Sequence, residues 1–135
     1  KQLFAVQPFN NQLVIMSMSG AELRALLESM FLEDGRVRNN DSWLIPSAGF
    51  HYAVDQRRPV GQRVLAMTFE GVAIDPAKTY RLVTNNFLAA GGDGYTLFTK
   101  GVALQGAGHD LDATEAWLAS KPAFPAEQRI AINGR

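Results

Sequence analysis

Apolar residues recur along this chain at two spacings, one that suits strands and one that suits helices. Leu3-Phe4-Ala5-Val6 is a short strand-like run closed by the turn Pro8-Phe9-Asn10-Asn11. Leu13 to Met18 is almost continuously apolar and carries β-branched Val14 and Ile15, as in a strand covered on both faces. Ser19-Gly20-Ala21-Glu22 then has the form of a capping box. The Ser19 hydroxyl can accept from the Glu22 amide while the Glu22 carboxylate accepts from the Ser19 amide. Behind it, Leu23, Leu26, Leu27, Met30 and Phe31 fall on one helical face. This helix is expected to run to Asp34-Gly35, with Gly35 as its C-cap.

Residues 34 to 49 are polar apart from Trp43-Leu44-Ile45-Pro46. Phe50 to Val54 alternates like a strand, and a charged proline loop follows from Asp55 to Gly61. Val64–Phe69 and Val72–Ile74 flank Glu70-Gly71, which predicts a hairpin. After the turn Asp75-Pro76-Ala77-Lys78 comes a strand over Tyr80–Thr84, then a short helical turn over Asn85–Ala90. Asp110 or Asp112 is expected to cap a second helix carrying Leu111, Ala116, Trp117 and Leu118, and Arg129–Ile132 reads as a closing strand. The pattern implies one mixed α+β domain across residues 1–135, its helices packed on a largely antiparallel or mixed sheet.

Composition narrows this without redirecting it. A 135-residue chain that is 47% hydrophobic and 19% charged has the makeup of a folded domain. It holds no cysteine, so disulfides and thiolate metal sites are excluded while the compartment stays open. Thirteen basic and thirteen acidic residues cancel, leaving no basic stripe for a nucleic-acid backbone. No apolar run approaches the roughly 20 residues of a membrane span. The chain opens directly on a strand-like run without Met, which reads as a piece of something longer.

Catalytic machinery of familiar kinds does not show in the sequence. The two histidines, His51 in a strand pattern and His109 beside Asp110, read as buried or capping side chains rather than ligands. What remains is a candidate binding loop, Thr84-Asn85-Asn86-Phe87-Leu88-Ala89-Ala90-Gly91-Gly92-Asp93-Gly94-Tyr95. Its glycines allow positive φ and close backbone approach to a ligand. Asp93 can accept two hydroxyls of a vicinal diol, and Phe87 can offer a flat face to a base; equally, the loop can be a tight turn with Phe87 in the core. Trp43 is a second candidate, either a lid over the core or a stacking surface.

Several strings together carry a family resemblance. They are Leu3 to Val14, Ser19-Gly20-Ala21-Glu22-Leu23, Arg58-Pro59-Val60-Gly61-Gln62-Arg63-Val64, Asp75-Pro76-Ala77-Lys78-Thr79-Tyr80 and Thr84 to Tyr95. In order and spacing they resemble the C-terminal domain of the 5'-nucleotidase / UDP-sugar hydrolase family, from about residue 2 onward. The resemblance implies an exported, periplasmic or secreted, enzyme. An N-terminal metallophosphatase domain, outside this chain, would hold two divalent metal ions and hydrolyse nucleotide phosphate esters. This chain would then bind the nucleoside part of the substrate and hydrolyse nothing by itself. The base would stack between two aromatic rings. Phe87 matches one of them, Asp93 matches the carboxylate on the ribose, and Asn86, Gly91 and Gly92 belong to the same string. The second ring falls at Trp43 or, counted without a gap, at Leu44, where this sequence departs from the family pattern. The family's upstream NGGGIR segment does not occur here, and the turn after Pro8 reads Phe9-Asn10-Asn11. Two other readings stand beside this one: the same domain in a relative acting on UDP-sugars, cyclic nucleotides or another ester, and a non-catalytic binding module.

Overall fold

The computed structural model describes residues 9–120, 123 and 127–134. The strand expected over Leu3–Val6 lies outside the described residues. The chain divides into two compact units, residues 1–18 with 80–124 and residues 19–79 with 125–135. The elements are a mixture of helices and strands in two sheets, as the α+β reading expects.

The first unit is built on a three-stranded sheet ordered β5-β1-β6, with β1 Gln12–Ser19, β5 Thr79–Asn85 and β6 Val102–His109. β1 runs antiparallel to β6, pairing Val14 with Gly106 and Ser17 with Val102. Only Met16 and Met18 on β1 are fully buried, while Leu13, Val14, Ile15 and Ser17 are half-exposed. The strand is thus covered mainly on one face, not on both. Tyr95 and Phe98 complete this core, their rings 6.3 Å apart and edge to face. Gly101 abuts Met16: a Cβ there would fall 2.5 Å from the Met16 sulfur. β6 escapes the sequence pattern because Gly106 and Gly108 break the alternation that marks a strand. The helix after it, which we number α3 (Asp110–Ala119), has His109 at its N-cap, not Asp110 or Asp112. Both aspartates sit in the first turn, where the helix dipole favours them. The Asp110 amide donates to the Asn11 carbonyl at 2.9 Å, so the chain enters the helix straight from the sheet.

The second unit holds a mixed four-stranded sheet ordered β4-β3-β2-β7: β2 Phe50–Asp55, β3 Val64–Phe69, β4 Val72–Ala73 and β7 Ile130–Asn133. β2–β3 and β3–β4 are antiparallel, whereas β7 lies parallel to β2. The β3–β4 hairpin turns on Glu70 and Gly71 with φ of 49° and 79°. Two consecutive positive φ values are what a tight primed turn requires, and Gly71 meets that at no steric cost. The capping box forms as expected at the start of helix α1 (Gly20–Glu28). Ser19 Oγ accepts from the Glu22 amide at 3.2 Å, and the Ser19 amide donates to Glu22 Oε2 at 2.7 Å. Ser19→Ala should lower stability by about 1 kcal/mol, read as a lower denaturant midpoint; an unchanged midpoint would remove the cap from the account.

α1 is shorter than its apolar pattern. It ends at Glu28 with Ser29 as C-cap, and Phe31 instead forms an antiparallel bridge with Val37. Met30 and Phe31 are buried, as the pattern required, but from a loop rather than a helix. Gly35 is not a C-cap; with φ of 85° it turns the loop that follows. Asp34 and Asp55 each pair with an arginine two residues on. The Arg57 side chain and backbone amide beside Asp55 hold its carboxyl down to about 2; the Arg36 backbone amide, and after it the Arg36 guanidinium, lower Asp34. His51 is not buried: it is half-exposed and pairs with Glu127 at 3.2 Å.

Candidate functional site

The loop after β5 is shaped by its own side chains. Asn85 ends the strand in an extended conformation and caps the single helical turn α2 (Asn86–Ala89), its Oδ1 accepting from the Leu88 amide at 2.8 Å. That turn presents Phe87, 49% exposed, so the ring is not part of the core. The chain then bends through Gly91 and Gly94, with φ of 87° and 80°, around Asp93, which itself takes φ 55°. Positive φ at a non-glycine residue is uncommon, and Asp is among the types that tolerate it.

Gly92 has a separate reason to be glycine. A Cβ at that position would lie 2.6 Å from two carbons of the Phe87 ring. The ring therefore rests against the Gly92 backbone, which fixes its orientation while much of its surface stays open. Asp93 follows with an exposed side chain. Beneath the loop, buried Tyr95 and Phe98 anchor its far end to the core of the same unit. An open aromatic surface, a carboxylate one residue past the glycine that supports it, and a stiff backbone suit a ligand with a flat ring and a pair of hydroxyls.

The structure thus brings Phe87, Gly91, Gly92 and Asp93 into one turn. Asn86 is engaged differently: its Oδ1 accepts from the Gln12 amide at 2.9 Å and ties the turn to β1. Trp43 belongs to the other unit. Its ring is half-buried and meets Phe31 at 5.8 Å with an interplanar angle of 80°. The segment around it is irregular yet pinned. The Leu44 amide donates to Met30 Sδ at 3.2 Å, Tyr52 Oη donates to the Leu44 carbonyl at 2.8 Å, and Arg129 Nη1 donates to the Pro46 carbonyl at 2.6 Å. Leu44 itself is half-buried. Among the described residues no group of three or more His, Asp or Glu could hold a metal ion. No helix among them is long and apolar enough to cross a membrane.

The sequence profile of the 5'-nucleotidase C-terminal domain matches residues 1–100. The chain belongs to that family. It is 35% identical over 104 residues to the trifunctional nucleotide phosphoesterase protein YfkN of Bacillus subtilis, covering 73% of this chain and 7% of YfkN. Over 99 residues it is 30% identical to the cell wall protein Lmo0130 of Listeria monocytogenes, covering 71% of this chain and 12% of that protein. The crystal structure of a 5'-nucleotidase precursor from Thermus thermophilus superposes with a TM-score of 0.80 at 29% identity, over 99% of this chain and 27% of that one. The chain therefore spans a small part of the length of the relatives it matches.

Proposed function

We propose that this chain is the nucleoside-recognising domain of an exported, metal-dependent phosphoric ester hydrolase that acts on nucleotides. The observation that carries the reading is the exposed Phe87 ring resting on Gly92 beside the exposed Asp93 carboxylate, within a string that matches the family. In this proposal Phe87 stacks on the base, Asp93 accepts the ribose hydroxyls, and Gly91 and Gly92 let the backbone come close. Asn86 acts by fastening the turn to β1. Trp43, on its own unit, offers its open indole surface to a planar base, a role that the branched aliphatic side chain of Leu44 cannot take. Hydrolysis itself belongs to an N-terminal metallophosphatase domain with two divalent ions; among the described residues of this chain no group of three or more His, Asp or Glu could hold one. The names of the relatives support a nucleotide phosphoester substrate, and the cell wall protein among them supports a location outside the cytoplasm.

The experiment compares ribo- and deoxyribonucleotides on the full-length enzyme carrying Asp93→Asn. The substitution removes charge-assisted acceptance while keeping shape, a loss of about 1.5–3 kcal/mol where hydroxyls donate to it. KM for the ribonucleotide should rise by roughly tenfold or more, and that for the deoxy analogues by clearly less. Equal effects on both would remove Asp93 from the ribose.

A further inference from the structure

Phe31 and Arg63 form a buried stack behind Trp43. Arg63 is only 8% exposed, yet its hydrogen bonds run to backbone carbonyls: Nε to Arg58 at 2.9 Å and Nη1 to Gly35 at 2.6 Å. Its guanidinium carbon lies 4.8 Å from the centroid of the Phe31 ring. Gly35 makes room for it, since a Cβ there would lie 2.8 Å from Arg63 Nη2. Phe31, 4% exposed, in turn meets Trp43 nearly perpendicularly. Burying a guanidinium is costly, and a rigid planar cation held by fixed acceptors orients whatever stacks on it. Edge-to-face ring pairs and cation–π contacts are both directional, so the orientation passes from Arg63 to Phe31 to Trp43. The bonds at Leu44 N–H and C=O stop the backbone beside Trp43 from drifting.

We infer that Phe31 and Arg63 are positioning residues for Trp43, holding its ring preformed as a surface for a planar base; the inference rests on the base-binding role proposed for Trp43. Neither needs to touch the ligand. Preorganising the ring lowers the ordering cost of binding, so losing the support should loosen the indole and weaken affinity without removing the stacking surface.

The chain has two tryptophans, so Trp117→Phe leaves Trp43 as the sole indole emitter. In that background, adenosine is titrated against Trp43 fluorescence for Phe31→Leu, Arg63→Met and Arg63→Lys, with far-UV circular dichroism and melting recorded on each. Phe31→Leu and Arg63→Met should red-shift Trp43 emission, increase its quenching by acrylamide and weaken adenosine binding about three- to tenfold, the span expected from one aromatic pair. Arg63→Lys keeps a cation over the ring and should fall between these and the parent. If Arg63→Met does not fold, Phe31→Leu and Arg63→Lys decide the matter. A Trp43 that responds to adenosine identically in every folded variant overturns the positioning role and leaves the base-binding role standing. A parent chain whose Trp43 does not respond to adenosine overturns both.

Discussion

Phe87→Ala in the full-length enzyme should raise KM for nucleotides by about fivefold to a hundredfold or more. Base–aromatic stacking contributes about 1–3 kcal/mol per base, and each 1.4 kcal/mol is a factor of ten. The ring is half-exposed and rests on Gly92 from outside the core, so its removal should leave the melting temperature nearly unchanged. Loss of affinity without loss of fold is the signature that separates a ligand surface from a core side chain. The proposed hydrolytic step takes place in another domain, so kcat should fall less than KM rises. A nitrophenyl phosphate, which has no base, should be hydrolysed equally well by both enzymes. An unchanged nucleotide KM, or an equal effect on nitrophenyl phosphate, would rule out base stacking at Phe87.

Gly20→Ala should destabilise the second unit by about 2–4 kcal/mol, against the usual sign for this substitution in a helix. Replacing a helical Gly by Ala ordinarily stabilises by about 0.5–1 kcal/mol, because Gly loses more backbone entropy on folding. Here Gly20 is the first residue of α1, and its amide donates to the Lys78 carbonyl at 3.0 Å while Ala21 donates to Pro76 at 3.0 Å. The turn before β5 thus satisfies donors that a helix start leaves open. A methyl at Gly20 would overlap the Asp75 carbonyl and come within 2.8 Å of Ile74 Cγ2. Both backbone bonds must then lengthen or break, and overpacking adds about 1–3 kcal/mol to that loss. Urea titration decides it: a raised or unchanged midpoint would mean that the turn yields cheaply.

These positions differ in how much the sequence reveals. The capping box, the Glu70-Gly71 hairpin and the Asn85 turn are legible because each is a local device whose residues are neighbours. The end of α1 is not. Met30 and Phe31 are spaced as helical core residues and are buried, but the bridge from Phe31 to Val37 draws the chain out of the helix, and periodicity cannot see that competition. β6 is hidden for the opposite reason. It is specified by its pairing with β1 rather than by its own glycine-rich sequence. In the candidate site, the glycine string marks the loop that carries Phe87 and Asp93, yet two features of that loop depend on the folded chain. One is that Gly92 is glycine because Phe87 lies on it; the other is that Asn86 is engaged with Gln12. Arg63 could be read from sequence only as part of a family string. Its burial against Phe31 depends on two loops far apart in the chain meeting.

The parallel pairing of β7 with β2 sets the order in which the second unit can be completed during synthesis. Tyr52 to Asp55 emerge from the ribosome long before their partners Ile130 to Asn133, and the whole of β5, β6 and α3 must be made in between. Until then β2 has β3 on one side and a bare edge on the other, the kind of edge that recruits strands from other chains. Non-local pairing of this sort also slows folding, because a long loop must close before its contacts form. The nascent unit therefore passes through a window in which its hairpin is made and its last strand is missing. Expression hosts that translate slowly or lack holding chaperones would lengthen that window, and aggregation rather than misfolding of the finished domain would be the form failure takes.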